Sequence, residues 1–202
     1  MKILGLLDNY GAETDGRRPS VMQLTDASLL QSGKPFFIPS DNHDYEAFPS
    51  VAIRISRLGK SIPARFAHRY FSQATIGLNI RDMDRLRELS QVGLPWAEAV
   101  AFDYSAPIGT MVDAETVFDP RSRIEIDLCD TEGNPVCGQV IYRTSELIAD
   151  VYSVIEMLSQ RFTLKEGDII FVGYAPFPIP AKIRHNIICR LGSQILLKTK
   201  IR

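Results

Sequence analysis

The sequence predicts a β-rich α+β fold with a few helices set against the sheets. Three observations carry this. Over Arg123–Leu128 apolar and polar residues alternate, placing Ile124, Ile126 and Leu128 on one face of a half-buried strand. From Ser145 to Leu158, apolar residues (Leu147, Ile148, Val151, Tyr152, Ile155, Leu158) recur at helical spacing and line one face. Further short apolar runs, such as Val51 to Ile55 and Asp168 to Gly173, read as strands.

Taken in order, residues 1–35 are expected to form an irregular segment packed on the rest. Residues 9–35 are polar and turn-rich (Asn9, Gly11, Gly16, Pro19, Gly33, Pro35). Val51 to Ser56 fits a strand, with Gly59 at the following turn. Ser61 can cap a helix entered through Pro63 and running to about Tyr70, because proline's fixed φ suits a first helical turn. Ala74 to Ile80 reads as a buried strand, and Asp82 to Leu89 as a charged, partly exposed helix. Glu132-Gly133-Asn134 supplies turn chemistry, and Val136 to Tyr142 returns as the hairpin partner of the Arg123 strand. Ser145 is the cap of the clearest helix. Asp168 to Gly173 and two runs at 186–191 and 194–200 complete the strands.

A chain of 202 residues is most simply one domain, 1–202, able to bury a single core. Its 23 basic and 24 acidic residues give a formal charge of -1, so no whole-chain field draws in nucleic acid or anionic lipid. No apolar run reaches membrane-spanning length, and Met1 to Asp8 is too short for a signal-peptide core. Three cysteines (Cys129, Cys137, Cys189) without Cys-x-x-Cys spacing suggest free thiols in a reducing cytoplasm rather than disulfides or a zinc site.

Two polar clusters have chemical potential. Asp41, His43, Asp44 and Glu46 precede a strand and could hold a cation, but they read first as a polar loop of turn formers. Arg81, Asp82 and Asp84 read first as a solvated helix start, where Asp favours the positive end of the dipole. Their functional reading has Arg81 gripping a carboxylate in bidentate fashion. Arg54, Arg57, Lys60 and Arg65 lack interleaved aromatics, so nucleic-acid binding is not expected.

The run Gly93-Leu94-Pro95-Trp96-Ala97-Glu98-Ala99-Val100-Ala101-Phe102-Asp103-Tyr104 resembles the central loop of the fumarylacetoacetate hydrolase family, in its acylpyruvase and oxaloacetate decarboxylase-like branch. Lys34 to Pro39, Arg54 to Lys60, Phe66 to Tyr70 and Thr163 to Phe171 continue the likeness in the same order and spacing. The resemblance implies a mixed β-roll, a homodimer and, in active members, Mg²⁺ or Mn²⁺ held by three carboxylates. Hard divalent ions need several anionic oxygens to offset lost hydration.

Against that pattern the site positions are altered. Ungapped alignment puts Phe48 and Ser50 where a Glu-x-Glu pair belongs, and Asn79 where the third carboxylate belongs. A two-residue shift would restore Glu46 alone, leaving Glu46 and Asn79 as weak metal candidates. Val100 stands four residues after Trp96, where the family carries a lysine. Gly173-Tyr174-Ala175-Pro176 replaces a Gly-Thr-Pro substrate turn, and no histidine precedes residue 40 to supply the family's His-x-x-Glu base. The former pocket is thus Phe48, Ser50, Asn79, Arg81, Val100 and Tyr174, with no catalytic residue assigned. The resemblance then implies a non-catalytic member without cofactor that binds a partner or small anion, as a homodimer or as a heteromer with an active relative. The alternative is a divergent Mg²⁺- or Mn²⁺-dependent hydrolase, isomerase or decarboxylase of small 2-oxo acids.

Overall fold

The computed structural model describes residues 1–11, 18–40 and 42–202; Gly16 and Asp41 lie outside them. The chain opens with β1 (Ile3–Leu7), β2 (Ser20–Leu24) and β3 (Leu29–Gln31), so the described part of residues 1–35 is not the irregular segment expected. The physical reason is that Ile3 to Leu7 is apolar throughout, the mark of a strand covered on both faces. Next come β4 (Pro35–Phe36), β5 (Tyr45–Arg54), α1 (Ala64–Ala67), β6 (Gln73–Asp82), α2 (Met83–Gln91), α3 (Ala97–Val100) and β7 (Ala106–Ile108). The second half contributes β8 (Val112–Asp113), α4 (Ala114–Val117), β9 (Ile124–Cys129), β10 (Val140–Tyr142), α5 (Val151–Arg161), β11 (Ile169–Phe171), β12 (Ile179–Pro180), β13 (Asn186–Leu191) and β14 (Gln194–Ile201).

Among the described residues the strands form two sheets, giving the β-rich α+β roll that the sequence predicts. The larger runs β2-β1-β11-β5-β6-β7-β3, with β12 also beside β5 and β8 beside β6; the smaller runs β10-β9-β13-β14-β4. The larger sheet is mixed, because β1 pairs β11 in parallel while β11 pairs β5 antiparallel. No helix among the described residues is long and apolar enough to cross a membrane.

Strand alternation assigns the two faces. On β5 and β6, Ala47, Val51, Ile53, Ile76, Leu78 and Ile80 point into the main core, with the smaller sheet and α5 behind them. The intervening residues, among them Phe48, Ala52, Asn79 and Arg81, therefore occupy the opposite face. There Ile3, Phe171, Tyr174, Val100 and Leu89 build a second apolar cluster.

Four local expectations are corrected. The helix expected from Ser61 to Tyr70 is only α1, whose N-cap is Pro63; Ser61 has φ 51° and caps nothing. The clearest helix starts at Asp150, whose carboxylate accepts from Ser153 N at 2.8 Å, while Ser145 lies in a separate 3₁₀ turn. On α5, Val151, Ile155 and Leu158 are buried as the helical spacing predicts; Val154 joins them, while Tyr152 is 43% exposed and leaves that face. The return strand after the Gly133 turn begins at Val140 rather than Val136.

Candidate functional site

The site lies where β5 changes partners. One flank of β5 pairs β12 at Ala47 and Glu46, then β11 from Ala52 to Arg54. Between them, at Pro49 to Val51, the segment after β11 takes over the bonding. Val172 N donates to Val51 O, Gly173 N to Ser50 Oγ and Ala175 N to Pro49 O, at 2.8, 3.1 and 2.9 Å. Those bonds fix Tyr174 over the open face of the sheet. Ser50 is fully buried and spent on this joint, so it is structural.

Across the strand pair, Glu46 opposes Arg81, Phe48 opposes Asn79 and Ser50 opposes Gly77. Asn79, fully buried, donates from Nδ2 to Val100 O at 2.8 Å, and its Oδ1 accepts from Arg81 Nε at 2.8 Å. The Arg81 guanidinium lies 4.0 Å from the Phe48 ring centroid and 5.3 Å from that of Tyr174, a cation against two π faces. Tyr174 stacks on Phe171 with centroids 5.5 Å apart and an interplanar angle of 22°. The phenol rests against Gly5, where an added methyl would come within 2.7 Å of its ring.

A cleft of 390 Å³ opens beside these groups, lined by Leu7, Asp8, Tyr10, Phe48, Arg81 and Tyr174 among others. Among the described residues Arg81 Nη2 and Tyr174 Oη are buried without a hydrogen-bond partner, although buried polar groups are almost always paired. Burial lowers the Arg81 pKa, while Tyr174, Asp8 and Glu46 oppose the shift. Arginine's high intrinsic pKa still keeps it charged. Burial pushes the Tyr174 phenol well above its ordinary range, with Arg81 opposing, so the hydroxyl remains a donor.

The structure unites Phe48, Asn79, Arg81 and Tyr174. It leaves Val100 buried in the second cluster, contributing its carbonyl rather than a side chain. Arg81 is not the solvated helix start expected of it; the helix starts at Asp82, which is itself buried and caps α2 by accepting from Arg85 N at 2.9 Å. The acidic cluster divides. His43 Nδ1 pairs with Asp82 Oδ2 at 2.7 Å, and the Asp44 N–H donates to Asp84. Hydrogen bonding to Asp82 raises the His43 pKa. Glu46 lies opposite Arg81 instead, so the described residues of this cluster do not converge on one ion.

Nor do the metal candidates, Glu46 and Asn79, fit a divalent cation. Glu46 lies opposite Arg81, and Asn79 presents its oxygen to that guanidinium, whose charge repels a second cation, while Phe48 between them offers no donor. Among the described residues no three His, Cys, Asp or Glu side chains are grouped to hold an ion. Sequence reasoning missed Asp8 and Asn9. Asp8 lies on the cleft rim with φ 58°, and Asn9 is fully buried, bonding Val172 O at 2.7 Å and Ala149 N at 2.8 Å. The only signal was their place directly after the apolar run of β1.

Residues 9–176 match the family model described as fumarylacetoacetate (FAA) hydrolase C-terminal. An uncharacterized protein of Pyrococcus abyssi is 31% identical over 194 residues, covering 92% of this chain and 82% of its own. The mitochondrial oxaloacetate tautomerase of Caenorhabditis elegans is 27% identical, covering 78% of this chain and 71% of its own. Fumarylpyruvate hydrolase of Pseudomonas aeruginosa, solved in complex with Mn²⁺ and pyruvate, superposes with a TM-score of 0.83. It covers 100% of this chain and 89% of its own at 21% identity, a likeness of fold.

Proposed function

Because the chain belongs to the fumarylacetoacetate hydrolase family, we propose that it acts on small 2-oxo acids, interconverting keto and enol forms of an oxaloacetate-like substrate. The observation carrying this reading is the pair of unpartnered buried donors, Arg81 Nη2 and Tyr174 Oη, beside a 390 Å³ cleft. The tautomerase relative supports the substrate class and favours an active protein over the non-catalytic member expected from the sequence.

The chemistry follows from the chain's own groups. A proton leaves the carbon next to the ketone, its electron pair forms the C=C bond, and the carbonyl π pair settles on oxygen. Donors already aimed at that oxygen stabilise the charge without reorganising. Arg81 and Tyr174 are such donors. The Asp8 carboxylate on the rim carries the proton from carbon to oxygen, as a positioned general base does. The enol's ultraviolet absorbance follows the reaction directly. Its decay should accelerate in proportion to protein, and Asp8→Asn should slow it about 100-fold or more. An Asp8→Asn rate equal to wild type would remove Asp8 from the mechanism.

A second reading, the non-catalytic binder, is favoured by the commitment of both ends of the Asn79 amide inside the protein and by the burial of Val100. Folded protein that binds pyruvate yet leaves enol decay at the buffer rate would establish it. Either reading includes the homodimer, for which sedimentation should return about twice 22.7 kDa.

A further inference from the structure

The side chains at the ligand positions implied for a metal, Phe48 and Asn79, hold a guanidinium in this chain. They face each other in register across β5 and β6. Phe48 presents its ring 4.0 Å from Arg81 Cζ, and Asn79 takes the Nε proton at 2.8 Å. These contacts fix one edge and one face of the cation. Nη2, buried and unpartnered, is left beside the cleft together with the equally unpartnered Tyr174 hydroxyl.

We infer that Arg81 replaces the divalent ion as the fixed positive charge of this site, so that the cleft takes a small carboxylate ligand without a metal. The inference rests on the 2-oxo acid reading of the same cleft. A carboxylate or enolate oxygen would accept from Nη2 and from the Tyr174 hydroxyl, satisfying both donors. A charge-assisted bond of this kind is stronger than a neutral one, and a guanidinium presents its donors in a fixed planar fork. Among the described residues Asp8 and Glu46 are the acidic side chains that act on Arg81, and neither forms an ion pair with it. Its charge is therefore available to a ligand.

The test is calorimetric titration of the whole protein with pyruvate, once with excess EDTA and once with millimolar Mn²⁺. The expected result is saturable binding with dissociation constants that agree within about twofold in the two buffers. Arg81→Met should then weaken binding about tenfold or more, the fold-change for loss of one hydrogen bond to a charged group. Should Arg81→Met fail to fold, Tyr174→Phe removes only the hydroxyl from an apolar setting and should weaken binding about threefold or more. Binding seen only with Mn²⁺ overturns the metal-free site while leaving the 2-oxo acid reading intact. Absence of binding in both buffers, from folded protein, overturns the two together.

Discussion

Arg81 and Asn79, two residues apart on one face of β6, are joined by a 2.8 Å hydrogen bond from the guanidinium Nε to the amide Oδ1. The same amide donates to Val100 O, so a single buried side chain ties the cation to α3. Asn79→Ala should cost about 1–3 kcal/mol of stability, the penalty for stranding buried polar partners. Asn79→Asp should do something different. Its carboxylate would pair with Arg81 and compete with any anionic ligand, so pyruvate affinity should fall about tenfold or more. Urea unfolding and calorimetry separate the two effects.

Tyr174 owes its position to the missing side chain at Gly5, whose added Cβ would meet the ring at 2.7 Å. The phenol is 5% exposed and stacked on Phe171, so it has little room to yield. Gly5→Ala should destabilise the fold by about 1–3 kcal/mol, as overpacking does. It should also weaken pyruvate binding, because the hydroxyl must move. Unchanged affinity in Gly5→Ala would separate Tyr174 from the ligand.

The N-terminal strand is pinned by Asp168. Its carboxylate, fully buried, accepts from Lys2 N and Lys165 N at 2.7 and 2.8 Å and pairs with Lys2 Nζ at 2.7 Å. Burial pulls its pKa up, but Lys2 and the two amides outweigh burial and leave the pKa lowered. A lowered folded-state pKa adds stability above the unfolded value, about 3.9, and loses it as pH falls through the folded value. Asp168→Ala should therefore cost about 1.5–3 kcal/mol near neutral pH. The gap from wild type should narrow as the solution is acidified below about pH 4. A gap constant down to pH 2 would show that charge is not its source.

Helix α5 discriminates between two capping residues. Asp150 accepts from Ser153 N at 2.8 Å, whereas Ser145 stands exposed in the preceding 3₁₀ turn. Asp150→Ala should cost about 1 kcal/mol. Ser145→Ala should stay within about 0.5 kcal/mol of wild type in the same urea titration.

These residues also mark what the sequence made legible. Period-two alternation placed β9, because a half-buried strand has to alternate, and short apolar runs placed the end of β5 and most of β6. The cap of α5 was misread because Leu147 and Ile148, apolar and partly buried, extended the helical spacing backward past the true start. The strands within residues 1–35 were hidden by turn residues, and β2 and β3 gain their order from pairing with β1 and β7, distant contacts that no local pattern carries. At the site, aligning residue types identified Phe48, Asn79 and Tyr174 as altered positions. That Arg81 folds back onto Asn79 and Phe48 required the register of β5 against β6. Asp8 escaped notice because strand β1 was itself unread.

The central claim is that this cleft processes a 2-oxo acid using Arg81 as its cation. The most direct test follows enol-oxaloacetate absorbance with chelator-treated wild-type protein and with Arg81→Met, both confirmed folded by circular dichroism. The account predicts a protein-proportional acceleration that survives the chelator and is lost in Arg81→Met. Decay at the buffer rate with wild-type protein, with or without added Mn²⁺, would contradict it.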